Sequence, residues 1–157
     1  MAKLKKALNR AENGCIPDGI QQLKARYFRL MDGKQWEEWR ELFTPDLHAE
    51  ADGSVFDDRD AFVNTVSRLL GPDVVTTHHG HMPEVTMTGW HTAEGVWALE
   101  DRLEFPGDPA PGIHGAGHYH DKYRYQDGDW RISSTVLTRL FVEPLEGGYP
   151  EGGPWPL

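Results

Sequence analysis

The sequence predicts an α+β domain in which helices come first, long antiparallel strands follow, and the helices pack on one side of a curved sheet. Over residues 18–70 apolar side chains recur every three or four positions, the repeat of a helix that buries one stripe. Over residues 74–142 they instead alternate with polar ones in segments rich in Val and Thr. Asp127-Gly128 between two such segments marks a hairpin, because a type I′ turn needs positive φ at both central residues.

The elements follow in order. Residues 2–12 have helical composition and stop at Asn13-Gly14, giving a helical extension over 1–15. Ile20, Leu23, Tyr27, Leu30 and Met31 form one apolar stripe on a helix from Asp18 to Met31, closed by Asp32-Gly33. Trp36, Trp39 and Leu42 predict a short helix over Gln35–Phe43, ended by Thr44-Pro45-Asp46. His48–Ala51 reads as a short strand turned by Asp52-Gly53, and Phe62, Val66, Leu69 and Leu70 place a helix over Arg59–Leu70. Strands are expected over Val74–Met87, Thr92–Phe105, Gly115–Gln126 and Trp130–Val142. Residues 143–157, with four Pro and four Gly, form a loop or arm whose Tyr149 and Trp155 suit it to cover a pocket mouth or a neighbouring subunit. With no interior linker or repeat, residues 1–157 read as one domain.

Composition excludes several partners. A formal charge of −9 repels phosphate backbones and anionic lipid heads, so neither nucleic acid nor membrane is expected. The basic residues Lys3, Lys5, Lys6 and Arg10 read as a solvated helix face. No apolar run approaches the roughly 20 residues that span a bilayer, and no secretory h-region follows Met1. Cys15 is the single cysteine, so no internal disulfide forms, which fits a reducing, cytoplasmic location. It has no His or acidic neighbour in sequence to activate it as a nucleophile. The six Trp, five Tyr and six Phe either build the core or line a pocket for an apolar, aromatic ligand.

Three features carry candidate chemistry. Asp101 falls in register with Trp97, Leu99, Leu103 and Phe105 on the apolar face of its strand. A carboxylate there must be paired, hydrogen-bonded or protonated, as either a structural ion pair or a working acid. Asp32 precedes Gly33, which by itself is ordinary turn chemistry. The run Thr76-Thr77-His78-His79-Gly80-His81-Met82-Pro83 is richer: on a strand His79 and His81 share one face and His78 takes the other, and histidine exchanges protons near neutral pH. A metal reading also exists, in the pairs His79-x-His81 and His118-x-His120, but the glutamate that accompanies such pairs in cupins is not at its spacing. No metal or cofactor is therefore expected, and there is no Gly-x-Ser-x-Gly, P-loop, dinucleotide fingerprint or His-Glu-x-x-His.

Four segments in order resemble the SnoaL-like branch of the nuclear transport factor 2-like superfamily between about Asp18 and Phe141. They are Ala25-Arg26-Tyr27-Phe28-Arg29-Leu30-Met31-Asp32 followed by Trp36; His78-His79-Gly80-His81-Met82-Pro83-Glu84-Val85; Ala93-Glu94-Gly95-Val96-Trp97-Ala98-Leu99-Glu100-Asp101; and Tyr123-Arg124 with Asp127-Gly128-Asp129-Trp130-Arg131-Ile132. The resemblance implies a cone of curved sheet, a half-barrel closed by the N-terminal helices around a deep pocket. The superfamily includes dehydratases, a dehydrochlorinase, isomerases, cyclases and non-catalytic binding modules, so fold does not decide function.

Aligned on Gly95 and Asp127-Gly128, the catalytic histidine of the dehydratase-like members falls on His78 and its dyad aspartate on Asp32. A helix tyrosine five residues before that aspartate matches Tyr27, and a further acid matches Asp101. The arginine that several lyases carry on the last strand falls on Thr135, with Arg139 the nearest arginine on the same face. That departure leaves Tyr27, Tyr119 or His81 to stabilise a departing group. The implied activity is a cofactor-independent lyase on a small, hydrophobic, hydroxylated substrate, by elimination or retro-aldol cleavage. Tyr119, His81, Trp97, Thr135, Leu137 and Arg139 are expected to line its binding pocket. An isomerase or cyclase using Asp32 or Asp101 as base, or a hydrophobic-ligand-binding module, are the alternatives. The resemblance also implies a homo-oligomer, a trimer before a dimer.

Overall fold

A computed structural model describes residues 18–151 and 153. The helix expected over 2–12, Cys15 and Trp155 lie outside the described residues. The first described helix, α1 (Asp18–Asp32), buries the expected stripe of Ile20, Leu23, Tyr27, Leu30 and Met31. It also buries Lys24, which no apolar pattern predicts. The short α2 spans Trp36–Arg40, not Gln35–Phe43. Its end comes early because Phe43 is already paired with Ile132, and the Ile132 N–H donates to the Leu42 carbonyl at 2.8 Å. The strand β1 therefore runs from Phe43 to Ala51 and absorbs the Thr44-Pro45-Asp46 turn expected before His48. Pro45 is tolerated there because the pairing is irregular between Phe43 and His48.

Asp52 (φ 51°) and Gly53 (φ 90°) turn β1 into β2 (Ser54–Phe56), with Ala51 opposite Ser54. Both residues sit at positive φ, as a two-residue type I′ hairpin requires. Helix α3 (Arg59–Leu69) starts on Asp58, whose side chain accepts from the Ala61 N–H at 2.7 Å, a cap worth about 1 kcal/mol. Strands β3 (Val75–Met87), β4 (Thr92–Glu104), β5 (Gly112–Gln126) and β6 (Asp129–Pro144) complete the chain's regular structure. Asp127 (φ 52°) and Gly128 (φ 84°) make the predicted turn between β5 and β6.

The six strands form one sheet in the order β2-β1-β6-β5-β4-β3. All neighbours are antiparallel except β1 and β6, which run parallel, where the sequence had suggested antiparallel strands throughout. A parallel pair needs a long crossover, and α3 with β3–β5 supplies it. The sheet is curved and unclosed, and the helices cover its concave face, so the half-barrel implied by the resemblance is the observed fold. Along β4 the inward residues Ala93, Trp97, Leu99, Asp101 and Leu103 are all buried, the alternation read from the sequence. Rings fill the base: Trp39 lies 4.8 Å from Phe43 and 5.3 Å from Tyr27, at tilted or edge-on angles that add about 0.5–1.5 kcal/mol per pair beyond area burial.

After β6 the chain folds back. The Gly112 N–H donates to the Gly148 carbonyl (2.8 Å) and the Leu145 N–H to the Gly112 carbonyl (3.0 Å). These bonds bring buried Pro150 into the wall of the pocket, while Tyr149 stays partly exposed. No helix among the described residues is long and apolar enough to cross a membrane.

Candidate active site

The concave face holds a pocket of about 730 Å³, its open mouth included. Its wall is mainly apolar, with Met31 from α1, Phe62, Val66 and Leu70 from α3 and its C-cap, and Leu103 and Ile113 from β4 and β5. Into this surface project Tyr27, Asp52, His78, Asp101, Tyr119 and Arg139. Polar groups set in an apolar wall are the ones that can orient a ligand and exchange protons with it.

Strand alternation turns His78 inward, leaving it 7% exposed, while His79 and His81 are exposed. Asp32 meets it from the last turn of α1. The His78 Nδ1–H donates to Asp32 Oδ1 at 2.6 Å, and the His78 backbone N–H donates to Oδ2 at 2.9 Å. Thr76 Oγ1 donates to Oδ1 at 2.9 Å, so three donors fix one carboxylate. Burial alone would raise the Asp32 pKa, but the hydrogen bonds and charge of His78 outweigh it and hold the carboxyl below its ordinary value. With Nδ1 committed to Asp32, His78 presents Nε2, 4.0 Å from Asp101 Oδ2. A histidine so oriented has its Nε2 lone pair directed away from its orienting acid, the geometry that general-base chemistry requires.

Asp101, 3% exposed, is paired: Arg139 Nη1 donates to its Oδ1 at 2.7 Å. Arg139 reaches it from β6 across β5, over Gly115, which sits opposite Asp101 in the register. A Cβ on Gly115 would lie 2.9 Å from both Arg139 Nη1 and Asp101 Oδ1, so the side-chain-free position is what lets the pair form. Gly115→Ala is expected to part them and cost about 1–3 kcal/mol, as for a buried charged group losing its partner. Thermal unfolding checks this, and an unchanged melting temperature would remove the pair from the account of the pocket. On the other side, Arg139 Nε donates to Asp52 Oδ1 at 3.0 Å. Asp52 was legible only as a turn residue, and nothing in the sequence marked it for the site. Burial raises the Asp52 pKa, with Arg139 opposing, and the two carboxylates together outweigh desolvation to raise that of Arg139.

The phenols of Tyr27 and Tyr119 stand edge-on, ring centroids 5.8 Å apart. Burial pushes both well above the ordinary tyrosine pKa, so they are neutral hydrogen-bond donors at physiological pH. Beneath them lies a pair the sequence did not reveal. Lys24 Nζ bonds Asp121 Oδ2 at 2.8 Å with both side chains fully buried, and sits 3.9 Å from the Tyr119 ring centroid and 4.3 Å from that of Tyr27. Desolvation lowers the Lys24 pKa, with Asp121 opposing.

The other expected pocket residues divide. Thr135 and Leu137 line the pocket, but the Thr135 hydroxyl donates to Asp121 Oδ1 at 2.7 Å and is committed there. Two expectations need correction. Trp97 is buried away from the lining, its Nε1–H donating to Tyr123 Oη at 2.8 Å. His81 is on the exposed outer face, because it differs by an odd number of positions from inward His78. The two His-x-His pairs lie on that outer face as well: the rings of His79 and His81 are 6.1 Å apart and those of His118 and His120 6.4 Å. Ala98 of β4 intervenes between His81 and His118, and no group of three or more His, Cys, Asp or Glu among the described residues is placed to hold a metal ion.

Residues 17–136 match the model of the SnoaL-like domain family. A relative from Gibberella zeae named "Probable cyclase FGR4" is 25% identical over 143 residues, covering 80% of this chain and 92% of that protein. Rv3472 from Mycobacterium tuberculosis, a protein of unknown function, is 28% identical with a TM-score of 0.66, over 76% of this chain and 73% of that one. The hexachlorocyclohexane dehydrochlorinase LinA-type3 from Novosphingobium barchaimii is 17% identical with a TM-score of 0.71, over 94% of this chain and 97% of that one, a likeness of fold.

Proposed function

The chain belongs to the SnoaL-like domain family, and from that premise and the pocket we propose that it is a cofactor-independent acid–base lyase acting on a small, hydrophobic, hydroxylated molecule. The observation that carries the reading is the 2.6 Å bond from His78 Nδ1 to Asp32, which leaves Nε2 for a substrate in a mostly apolar pocket. His78 accepts a proton from a substrate C–H or O–H through Nε2. Asp32 is the positioning residue: it fixes the tautomer and favours the imidazolium as it forms. Asp101, 4.0 Å from Nε2, faces the same developing charge. Because it accepts from Arg139, its part in this mechanism is that of an acceptor.

The phenols of Tyr27 and Tyr119 are the donors for an oxygen that gains charge. If the proton comes from carbon and a neighbouring C–O bond breaks, a phenol protonates or hydrogen-bonds the departing hydroxyl and water is lost. If it comes from a hydroxyl, the adjacent C–C bond breaks, one fragment leaves as a carbonyl compound, and the phenols stabilise the enolate of the other. Positioned acid–base groups supply about 10²–10⁴-fold in rate, with oriented donors adding to that. The aromatic lining favours ring-bearing substrates.

The test is turnover of a panel of hydroxylated aromatic and polycyclic compounds, followed by mass spectrometry with and without chelator. A product lighter by water, or split into two carbonyl-bearing fragments, with chelator having no effect, is the expected result. A product of unchanged mass would replace the lyase by an isomerase or cyclase working in the same pocket, and chelator-sensitive turnover would overturn the mechanism.

A further inference from the structure

The charges of the pocket say more about the substrate than its shape does. Three carboxylates face or back the cavity: Asp101 and Asp52, whose side chains are 2% and 6% exposed, and Asp32 behind His78. Against them stands Arg139, and its guanidinium is held on two edges, by Asp101 through Nη1 and by Asp52 through Nε (3.0 Å) and Nη2 (3.4 Å). A guanidinium recognises a carboxylate or phosphate through such an edge, by two parallel N–H bonds. In this chain Asp52 already occupies the edge made by Nε and Nη2.

We propose that Asp52 makes the pocket selective for neutral or cationic substrates, by occupying the edge of Arg139 that would otherwise receive a substrate carboxylate or phosphate and by adding its own negative charge to the wall. The inference rests on the pocket being the substrate site, as in the lyase reading, and it names the substrate class: molecules whose portion inside the pocket is an alcohol, ketone, phenol or amine, not a free acid or phosphate ester. Bringing an anion into a poorly hydrated wall of like charge is penalised far more than in water, because the local dielectric is low. The hairpin geometry makes the device durable. Asp52 holds positive φ (51°) in a two-residue turn, a conformation aspartate tolerates well, and this aims its carboxylate from the β1–β2 turn at β6.

The experiment is calorimetric titration of the protein with three probes of one shape: 2-naphthol, 2-naphthylmethylamine and 2-naphthoate. The wild-type chain is expected to bind the naphthol and the protonated amine about tenfold or more tighter than the carboxylate, the scale of a like-charge penalty. Asp52→Asn keeps the turn, since asparagine accepts positive φ equally, but replaces the carboxylate with a neutral amide. It is expected to strengthen 2-naphthoate binding by about tenfold or more through Arg139 while changing 2-naphthol by less than about threefold. A gain of binding cannot come from a chain that fails to fold. Wild-type binding of 2-naphthoate as tight as of 2-naphthol, or an Asp52→Asn chain that discriminates as the wild type does, would overturn the proposal. Because binding is read without turnover, an inactive panel would sink the lyase and leave this selectivity standing, and the reverse holds equally.

Discussion

Replacing His78 with glutamine is expected to lower kcat by about 10²–10⁴-fold, the usual contribution of a positioned base, and to leave the fold intact. The glutamine amide can donate to Asp32 Oδ1 much as the imidazole Nδ1–H does, so the orienting bond survives while the proton acceptor is lost. Asp32→Asn tests the other half of the dyad. An amide in place of the carboxylate no longer dictates which ring nitrogen carries the proton, and in the Ser-His-Asp triad the equivalent change costs about 10⁴-fold. The loss should fall on kcat more than on KM, because the charge that Asp32 stabilises forms only as the proton moves. Circular dichroism and thermal unfolding alongside the kinetics separate loss of chemistry from loss of structure. A His78→Gln chain with wild-type kcat/KM would end the proposed mechanism whatever the pocket's shape.

The largest expected effect on stability lies under the pocket floor. Lys24→Met leaves the carboxylate of Asp121 fully buried without its cation, and breaking such a pair from one side costs about 3–5 kcal/mol. For a chain of this length that is a fall in melting temperature of roughly 6–20 °C, at about 2–4 °C per kcal/mol. The second substitution carries the diagnosis. Adding Asp121→Asn removes the orphaned charge and keeps one acceptor oxygen where Thr135 and Tyr123 now bond Oδ1 and Oδ2 at 2.7 and 2.9 Å, with the amide N–H₂ donating to the oxygen of the other hydroxyl. The double variant is therefore expected to recover most of the lost stability, since a neutral replacement of a buried pair is often close to harmless. Urea unfolding of the two variants measures the difference. If Lys24→Met alone unfolds at the wild-type midpoint, the pair is not the structural element its burial implies.

Much of this molecule could be read without coordinates, and what could not has a common cause. The stripe Ile20, Leu23, Tyr27, Leu30, Met31 located α1, and the alternation through Trp97, Leu99, Asp101 and Leu103 located β4, because burial of one face imposes a local period. The odd and even positions of the histidine run told His78 from His79 and His81, though not which of the two faces was inside. The family resemblance, not the residue pattern, chose His78 and paired it with Asp32. Where the reading failed, a contact distant in sequence had intervened: pairing of Phe43 with Ile132 took the end of the expected second helix into β1. Lys24 was missed because its partner is 97 positions away, and a charged residue inside an apolar stripe carries no sign of what neutralises it.

By itself, the sequence determined the order of helices and strands, the two Asp-Gly hairpin turns and the inward carboxylate at Asp101, all consequences of spacing between near neighbours. Only the tertiary structure decided how the charges are paired. The clamp from Asp52 through Arg139 to Asp101 joins β4, β6 and the β1–β2 turn across 87 and 38 positions, and it needs bare Gly115 between them. A charge in a sequence has a sign but no partner. Whether it is a turn residue, a structural ion or part of a pocket is fixed when folding removes it from water and another group must take water's place.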